Sequence, residues 1–449
     1  LKYPGMAPWE IWISESQERM TLAVPEEKAD AFMDLMGKRD VEATVIGTFT
    51  DTGRCVVEYD GTTVMDIDLD FLHDGLPEKH LLTLPVETAY PEPDFPCPDR
   101  LDDLLLAMLA RKNICSKEFI STRYDHTVQG GHVLGPVQGS GRVQTAATLT
   151  KVVPGSMKGV GLSQGIFPTY SELDPYRMAI AAIDLAIRGL IAIGIPLDAI
   201  ALLDNFCWCS SDEPERLWQL KQAAFGCRDG AIAFATPYIS GKDSMYNDFS
   251  GFDADSRPVK VSVPPTLLIT SIGIHPDVTT AVSMDAKFEG DLAYVVGETG
   301  EELGGSEYLA HIGIEGGVVP SLDMEAAKAR YEKMTGAIAK GLIASAFPVA
   351  HGGLLVALAK VAIAGRVGMD LTIPGGMRPD RYLFSESPGR FVVTVAPGDR
   401  EAFEEVFGDD AHLLGRVGGT AFRVSAGETL IEQPIRAMKT AYKAPFGGY

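Results

Sequence analysis

The stretch Thr236-Pro-Tyr-Ile-Ser-Gly-Lys-Asp-Ser-Met-Tyr-Asn247 brings a glycine, a cation, a carboxylate and a hydroxyl together within a few residues. The apolar residues 231–235 before it predict a strand. Residues 240–241, Ser-Gly, then predict a tight turn, where glycine would let a ligand approach the backbone. The Lys-Asp-Ser of 242–244 offers the groups that a phosphorylated ligand and its Mg²⁺ require. An ordinary polar turn could have the same composition, so the choice between a turn and a phosphate-binding segment depends on the rest of the chain.

Composition and charge narrow the class of protein. A chain of 449 residues predicts two or three domains. The hydrophobic content of 46% and the 47 glycines fit a glycine-rich soluble α/β protein. The net charge of −22 argues against nucleic acid and against an anionic membrane as partners. An anionic small molecule stays possible where backbone amides or a metal supply positive potential.

Cysteine usage and hydropathy indicate a cytoplasmic location. The six cysteines show no disulfide or zinc-like spacing, so we expect reduced thiols. The longest apolar region, 178–203, is interrupted by Asp184, Arg188 and Asp198, which argues against a membrane span. The first residue is Leu1, not methionine, which indicates a shortened chain.

A long-period repeat relates the two ends of the chain. Ser14-Glu-Ser16 precedes Gly47 by 33 residues, and Ser385-Glu-Ser387 precedes Gly415 by 30. After each motif the sequence predicts a strand, a helix and further strands; at the front these are 21–24, 26–37 and 55–59, and at the back 392–395, 400–407, 413–417 and 421–424. The front segment therefore closes a unit whose opening part is not in this chain.

Between the two ends, proline-rich segments and predicted helix starts divide the chain into segments. Residues 84–98 form a proline-rich, extended linker. Asp174-Pro175 predicts a capped helix start, and a second helix is predicted at about 214–225. A long strand, 266–274, precedes a final domain that begins near residue 286, within which Ser306 is a predicted helix cap.

Seven segments, in this order, resemble phosphoribosylformylglycinamidine synthase, an amidotransferase-dependent ATP enzyme of purine biosynthesis. They cover nearly the whole chain: 14–20 (Ser-Glu-Ser-Gln-Glu-Arg-Met), 124–130 (Tyr-Asp-His-Thr-Val-Gln-Gly), 173–176 (Leu-Asp-Pro-Tyr), 204–205 (Asp-Asn), 238–244 (Tyr-Ile-Ser-Gly-Lys-Asp-Ser), 302–309 (Glu-Leu-Gly-Gly-Ser-Glu-Tyr-Leu) and 384–387 (Phe-Ser-Glu-Ser). Each segment is weak evidence alone, and the set is specific.

The resemblance implies an α/β (α+β) fold built from two homologous halves. Each half has an aminoimidazole-ribonucleotide-synthase-like N-domain, half of a β-barrel with helices, followed by an α/β C-domain. On this scheme 1–80 is the C-terminal part of the first-half C-domain and 81–100 is the linker. Residues 101–280 are then the second-half N-domain and 281–449 the second-half C-domain.

The resemblance also implies site residues. The segment Glu15, Ser16 and Gln17 matches the family's substrate-contacting segment, and a carboxylate, a hydroxyl and an amide suit a polyhydroxyl, amide-bearing ligand. The remaining matches are Ser244 for the substrate and Asp204, Gly241 and Lys242 for ATP. No catalytic residue is expected, because the family's histidine-bearing segment has no counterpart here. No residue is assigned as a metal ligand.

Departures from the family's pattern put turnover at the second-half site in doubt. Lys242 replaces a metal-binding asparagine, and an ammonium can neutralise phosphate but cannot ligate Mg²⁺. Ser163-Gln-Gly165 replaces Ser-Thr-Asp, so a carboxylate is missing. Residues 348–353, Pro-Val-Ala-His-Gly-Gly, replace an acidic pattern, and Pro388 replaces a frequent glutamine.

The resemblance implies conversion of formylglycinamide ribonucleotide to the amidine, with ATP and Mg²⁺ as cofactors. Its implied partners are the missing first-half domains, a glutaminase and the small-molecule substrate, with no nucleic acid and no membrane. We expect this chain alone to be inactive. One alternative is a catalytically silent scaffold that holds a structural nucleotide. Another is a single-unit ATP enzyme of the same superfamily, which the repeat disfavours.

Overall fold

A computed structural model describes residues 3–15, 18–86, 90–124 and 126–448, apart from the side chain of residue 128. The chain divides into two compact units, Leu1–His80 and Leu81–Tyr449, and each is described by itself. In the described part of the chain, no helix is long and apolar enough to cross a membrane.

The first unit is small and open. Its elements are α1 (Pro8–Trp12), α2 (Ala29–Lys38), β1 (Arg54–Tyr59), β2 (Thr62–Asp68) and α3 (Leu69–Asp74). Strands β1 and β2 form an antiparallel hairpin, and the Asp68 side chain caps α3 by accepting from the Asp70 backbone N–H. The predicted helix is confirmed, whereas the predicted strand at 21–24 is wrong because no neighbouring strand pairs with that segment in the described residues.

The second unit begins with an open six-stranded sheet. Its elements in chain order are α4 (Asp102–Leu109), α5 (Glu118–Ser121), β3 (His132–Leu134), β4 (Val137–Gln138), β5 (Val143–Gln144), β6 (Ala147–Thr150), β7 (Gly159–Ile166), α6 (Pro175–Ala192), β8 (Ile200–Cys207), α7 (Pro214–Phe234), β9 (Tyr238–Ser244), β10 (Asp248–Phe252), β11 (Pro258–Ser262) and β12 (Thr266–His275). The strand order is β3-β6-β7-β12-β8-β9, and only the β8–β9 pair is parallel. The pairs β4–β5 and β10–β11 form two separate two-stranded sheets.

A seven-stranded mixed sheet follows. Its elements are β13 (Leu292–Val296), α8 (Glu307–Ile312), α9 (Met324–Ala339), β14 (Ser345–Pro348), α10 (Gly353–Gly365), β15 (Met369–Thr372), α11 (Pro379–Phe384), β16 (Phe391–Val395), α12 (Arg400–Phe407), β17 (Ala411–Val417), β18 (Ala421–Ala426), β19 (Glu428–Pro434) and α13 (Ile435–Lys443). The strand order is β14-β16-β13-β17-β15-β18-β19. Short 3₁₀ turns occur at Glu26–Lys28, Val128–Gly130, Pro168–Tyr170, Leu197–Ala199, Val278–Thr280, Pro397–Asp399, Gly408–Asp410 and Ala444–Phe446.

Helix α6 lies in the core between the two sheets. It begins as predicted: the Asp174 side chain accepts from the Arg177 backbone N–H, and Pro175 takes the first helical position. All but two of its 18 residues are buried, because α6 packs on β7 and β12 on one side and on β14 and α9 on the other. This burial accounts for its apolar composition.

The region before β9 differs from the prediction. Residues 231–234 are the last turn of α7, which continues well beyond 225 and ends at Ala235 in a left-handed conformation (φ 55°). The predicted strand at 231–235 is therefore wrong. The predicted turn at Ser240-Gly241 is also wrong, because both residues lie inside β9, which pairs in parallel with β8. Pairing with a distant strand overrides the local turn signal.

The predicted α/β class is confirmed, with helices packed on two sheets. In the described residues the first sheet does not close, since β3 and β9 lie at its opposite ends. Its face away from α6 carries exposed apolar side chains, including Leu162, Ile166 and Ile274, which are 46%, 36% and 44% exposed. The first sheet is thus an open half of a barrel-like layer.

Candidate nucleotide and substrate site

The predicted nucleotide residues meet at the edge pair β8–β9. Asp204 pairs with Gly241 in the parallel register. A Cβ atom on Gly241 would overlap the Asp204 carboxylate. Gly241 therefore leaves room for the Asp204 carboxylate in the orientation that it takes in this structure.

The Asp204 carboxylate lies on the helix side of the sheet, near a second carboxylate. Burial, and then the nearby charge of Asp243, raise the pKa of Asp204. Its neighbours there are the Cys227 thiol, whose pKa burial raises to about 11, and the Tyr238 hydroxyl, whose pKa burial also raises. Asp204 and Asp243 are therefore two carboxylates that repel each other, which is an arrangement that a cation would relieve.

Lys242 and Ser244 form a second pair on this strand. The Lys242 Nζ donates to the Ser244 Oγ at 2.7 Å and to the Asp243 carbonyl oxygen at 3.4 Å. Successive strand residues point to opposite faces, so this pair lies on the open face and Gly241 on the helix face. The structure thus brings the predicted residues together as two pairs, one on each side of the edge strand.

Of the predicted substrate contacts in the first unit, the structure describes one. Glu15 is exposed, whereas Ser16 and Gln17 lie outside the described residues. Among the residues that the structure describes, no group of three or more His, Cys, Asp or Glu side chains is placed to hold a metal ion.

The second Ser-Glu-Ser motif is buried and saturated with protein hydrogen bonds. The Glu386 carboxylate accepts from the backbone N–H groups of Glu307 (3.0 Å) and Gly352 (2.7 Å) and from the Tyr170 hydroxyl (3.2 Å). Burial raises the pKa of Glu386 to about 7. Its carboxylate joins the first sheet's region to the second, and both of its oxygens accept hydrogen bonds from the protein.

Sequence reasoning missed a buried ion pair in α6. The Asp184 Oδ2 lies 2.6 Å from the Arg188 Nε, and both side chains are at most 1% exposed. The Arg188 guanidinium also donates to the carbonyl oxygens of Val349 (2.7 Å) and Arg390 (2.9 Å). The signal was present, because two opposite charges four residues apart in an apolar helix share one face.

Two departures from the family's pattern have a structural cause. A Cβ atom on Gly165 would overlap the Ala182 carbonyl oxygen, so α6 occupies the space that an aspartate would need. Burial lowers the pKa of His351 to about 4, and its ring packs against Phe167 with a centroid distance of 4.6 Å. A neutral, packed imidazole does not replace a carboxylate.

Comparisons with known proteins first give the class. The family model "AIR synthase related protein, C-terminal domain" matches residues 1–60 and 289–425. One description therefore fits both ends of the chain, where the repeated motif lies.

Curated relatives then show which proteins this chain is similar to over nearly its whole length. The chain is 32% identical to the phosphoribosylformylglycinamidine synthase subunit PurL of Methanocaldococcus jannaschii and 33% identical to that of Thermococcus sibiricus, over 98% of this chain and 59% of each relative. The resemblance predicted from the motifs is confirmed: over nearly its whole length the chain is similar to subunits of phosphoribosylformylglycinamidine synthase. It spans about three-fifths of the length of the curated relatives it matches.

Solved structures agree on the fold. Thermotoga maritima PurL complexed with FGAR matches with a TM-score of 0.55 at 17% identity, over 75% of this chain and 53% of that one. The same protein complexed with ADP matches with a TM-score of 0.54 at 16% identity, over 76% and 51%. The predicted aminoimidazole-ribonucleotide-synthase-like fold is confirmed.

Proposed function

We propose that this chain contributes to an ATP-dependent C–N ligase, phosphoribosylformylglycinamidine synthase. The reaction converts formylglycinamide ribonucleotide to formylglycinamidine ribonucleotide in purine biosynthesis, with ammonia from glutamine. The observation that carries the proposal is the identity of 32–33% with PurL subunits over 98% of the chain. Since the chain spans 59% of those relatives, the activity belongs to an assembly that includes the remaining part.

The substrate contacts proposed are Glu15, Ser16, Gln17 and Ser244. Support comes from the fold shared with a PurL complexed with FGAR. In the proposed reaction ATP phosphorylates the substrate's amide oxygen, and ammonia then displaces phosphate. No residue of this chain is proposed to transfer a proton, so its role is to position the reactants.

The nucleotide contacts proposed are Asp204, Gly241 and Lys242. Lys242 is exposed, and among the described residues its ammonium donates only to a neutral hydroxyl and a carbonyl oxygen, so it can turn to a phosphate without breaking an ion pair there. Mg²⁺ would arrive with the phosphates, since such sites need only one or two carboxylates, and Asp204 and Asp243 supply two. Electrostatic stabilisation of the transferring phosphoryl group is the chemistry that the metal would add.

The partner proposed for the open sheet is the N-domain of the first half. Exposed Leu162, Ile166 and Ile274 on one sheet face are an apolar surface of the kind that a second sheet covers. A glutaminase is the proposed ammonia source, and a related T. maritima assembly is described as PurLQS. The domain scheme given above (1–80, 81–100, 101–280 and 281–449) is part of this proposal, as is a cytoplasmic location, which the six free cysteines favour.

A second candidate is a catalytically silent scaffold that holds a nucleotide without turnover. It is favoured by the saturated carboxylate of Glu386 and by the close packing of Gly165 against α6. The two candidates are compatible, because a silent second half can support a site formed with the first.

The test measures ATP-dependent amidine formation by this chain alone and with the first-half domains added. We expect activity only in the mixture, and a reduction on Lys242→Ala that the control Lys333→Ala, an exposed lysine on α9, does not show. Nucleotide released on denaturation is identified in parallel. Near-stoichiometric ADP without any activity in the mixture would support the scaffold alone. If the mixture shows no activity and no nucleotide is released, both candidates are refuted.

A further inference from the structure

A groove with positively charged walls lies beside the C-terminal helix α13, away from β8 and β9. Its volume is about 770 Å³, within the range of small-molecule sites. Its walls include Arg366, at the end of α10, and three cations of α13: Arg436, Lys439 and Lys443. Positions 436, 439 and 443 are three and four residues apart, so they share one face of the helix.

The charge of this groove is unbalanced. Among the residues that the structure describes, no carboxylate lines it, although the chain as a whole carries −22. Lys443 donates to the Glu118 Oε2 at 2.6 Å, but Arg142 lies on the other oxygen of the same carboxylate at 2.5 Å. One carboxylate thus serves two cations. Among the described residues, no acidic side chain lies within ion-pair distance of Arg366, Arg436 or Lys439.

The cations also repel one another. Burial, and then the charges of Arg366 and Lys443, lower the pKa of Lys439. A folded protein holds such a cluster together at a cost, and a bound polyanion would offset it. Pro434, Ile435 and Ala444 supply apolar wall beside the charges, against which a base or sugar can pack.

We propose that this groove binds a small molecule with two or more phosphate groups, of the nucleoside diphosphate or triphosphate class. The groove lies on the second sheet's helices and shares no lining residue with β8 or β9, so it is a site separate from the proposed nucleotide contacts. It does not rest on the proposed function. Its binding would couple the level of such a ligand to the stability of α13 and the sheet edge beneath it.

Binding of inorganic triphosphate and of ATP to the purified chain, at about 0.1 M salt, is the test. We expect saturable binding that Arg436→Ala/Lys439→Ala weakens by about a hundredfold, since each of the two charge-assisted hydrogen bonds contributes about tenfold or more. Lys328→Ala/Lys333→Ala on α9 makes the same change in net charge and should leave the affinity unaltered. In Lys242→Ala, the part of the triphosphate binding that Arg436→Ala/Lys439→Ala weakens should remain, because the groove does not include that lysine.

The outcomes separate the groove from the edge-strand site. ATP binding lost only in Lys242→Ala would overturn the groove and support the strand site. Equal loss in the α9 control would show a non-specific charge effect and overturn it too. Binding of an acidic peptide without binding of triphosphate would replace the ligand class, and thus also refute the proposal. Circular dichroism and thermal unfolding of each variant show whether it is folded.

Discussion

Replacing Asp184 by asparagine should destabilise the second unit by about 3 kcal/mol. The Asp184 Oδ2 accepts from Arg188 at 2.6 Å and from the Gly389 backbone N–H at 3.2 Å, and Oδ1 accepts from the Tyr331 hydroxyl. An asparagine can keep its oxygen toward Arg188 and turn its amide to Tyr331, whose oxygen can accept. Asp184→Asn therefore keeps the hydrogen-bond geometry and removes the negative charge.

The magnitude follows from the burial of the pair. Removing one partner of a buried ion pair costs about 3–5 kcal/mol, because the other charge is left uncompensated. Arg188 keeps two backbone carbonyl oxygens as acceptors, which places Asp184→Asn at the lower end. Asp184→Leu removes every acceptor on that side and should cost nearer to about 5 kcal/mol. The double variant Asp184→Leu/Arg188→Met should be more stable than Asp184→Leu alone.

Urea unfolding followed by tryptophan fluorescence measures these differences. Trp208 is fully buried, whereas Trp9 and Trp12 are 65% and 55% exposed, so the spectral change reports mainly on the second unit. Asp198→Asn, an exposed carboxylate just after α6, is the matched control and should change the unfolding free energy by less than about 0.5 kcal/mol. A loss for Asp184→Asn as small as the control's would refute the reasoning, as would a double variant no more stable than Asp184→Leu.

Two further variants test the site. Because burial raises the pKa of Glu386 to about 7, the folded state holds a proton that the unfolded chain releases at lower pH. This contribution to stability is therefore present below the unfolded pKa and is lost as the pH rises to about 7. Glu386→Gln should remove about 3 kcal/mol of that pH dependence from the unfolding free energy. Equal pH profiles of the unfolding free energy for the variant and the unchanged chain would contradict this prediction. Gly241→Ala should cost about 0.5–1.5 kcal/mol, because the Asp204 carboxylate must turn away from its present rotamer. Asp204→Ala makes room for the methyl group and should partly rescue the loss, whereas additive losses would contradict the overlap.

Local signals in the sequence predicted the elements that local chemistry decides. Asp174-Pro175 starts α6, and Ser306 caps α8 through the Leu309 backbone N–H, both as predicted. These features depend on neighbours three residues away. Where the deciding partner is distant, local signals failed: Ser240-Gly241 has the composition of a turn, and pairing with β8 makes it a strand.

The site shows the same division. The residue types at 204 and 241–244 predicted a phosphate-related site, but their sequence spacing did not show that the edge strand separates them into two faces. Nor did Ser385-Glu-Ser387 reveal that Glu386 is saturated by backbone groups from Glu307 and Gly352. Both facts depend on tertiary packing, which one sequence does not display. The paired charges Asp184 and Arg188 were visible, and only their common helical face was overlooked.

Gly165 connects the missing carboxylate to the buried ion pair. A side chain at 165 would have to displace α6 at Ala182, two residues before Asp184. On its other side α6 is held to the second sheet, since Arg188 donates to the Arg390 carbonyl oxygen and Asp184 accepts from Gly389. The helix cannot retreat from β7 without breaking those contacts, so an aspartate at 165 and this buried network exclude each other. Gly165 thus keeps α6 in place where an aspartate could have offered a ligand, which supports the scaffold candidate proposed above.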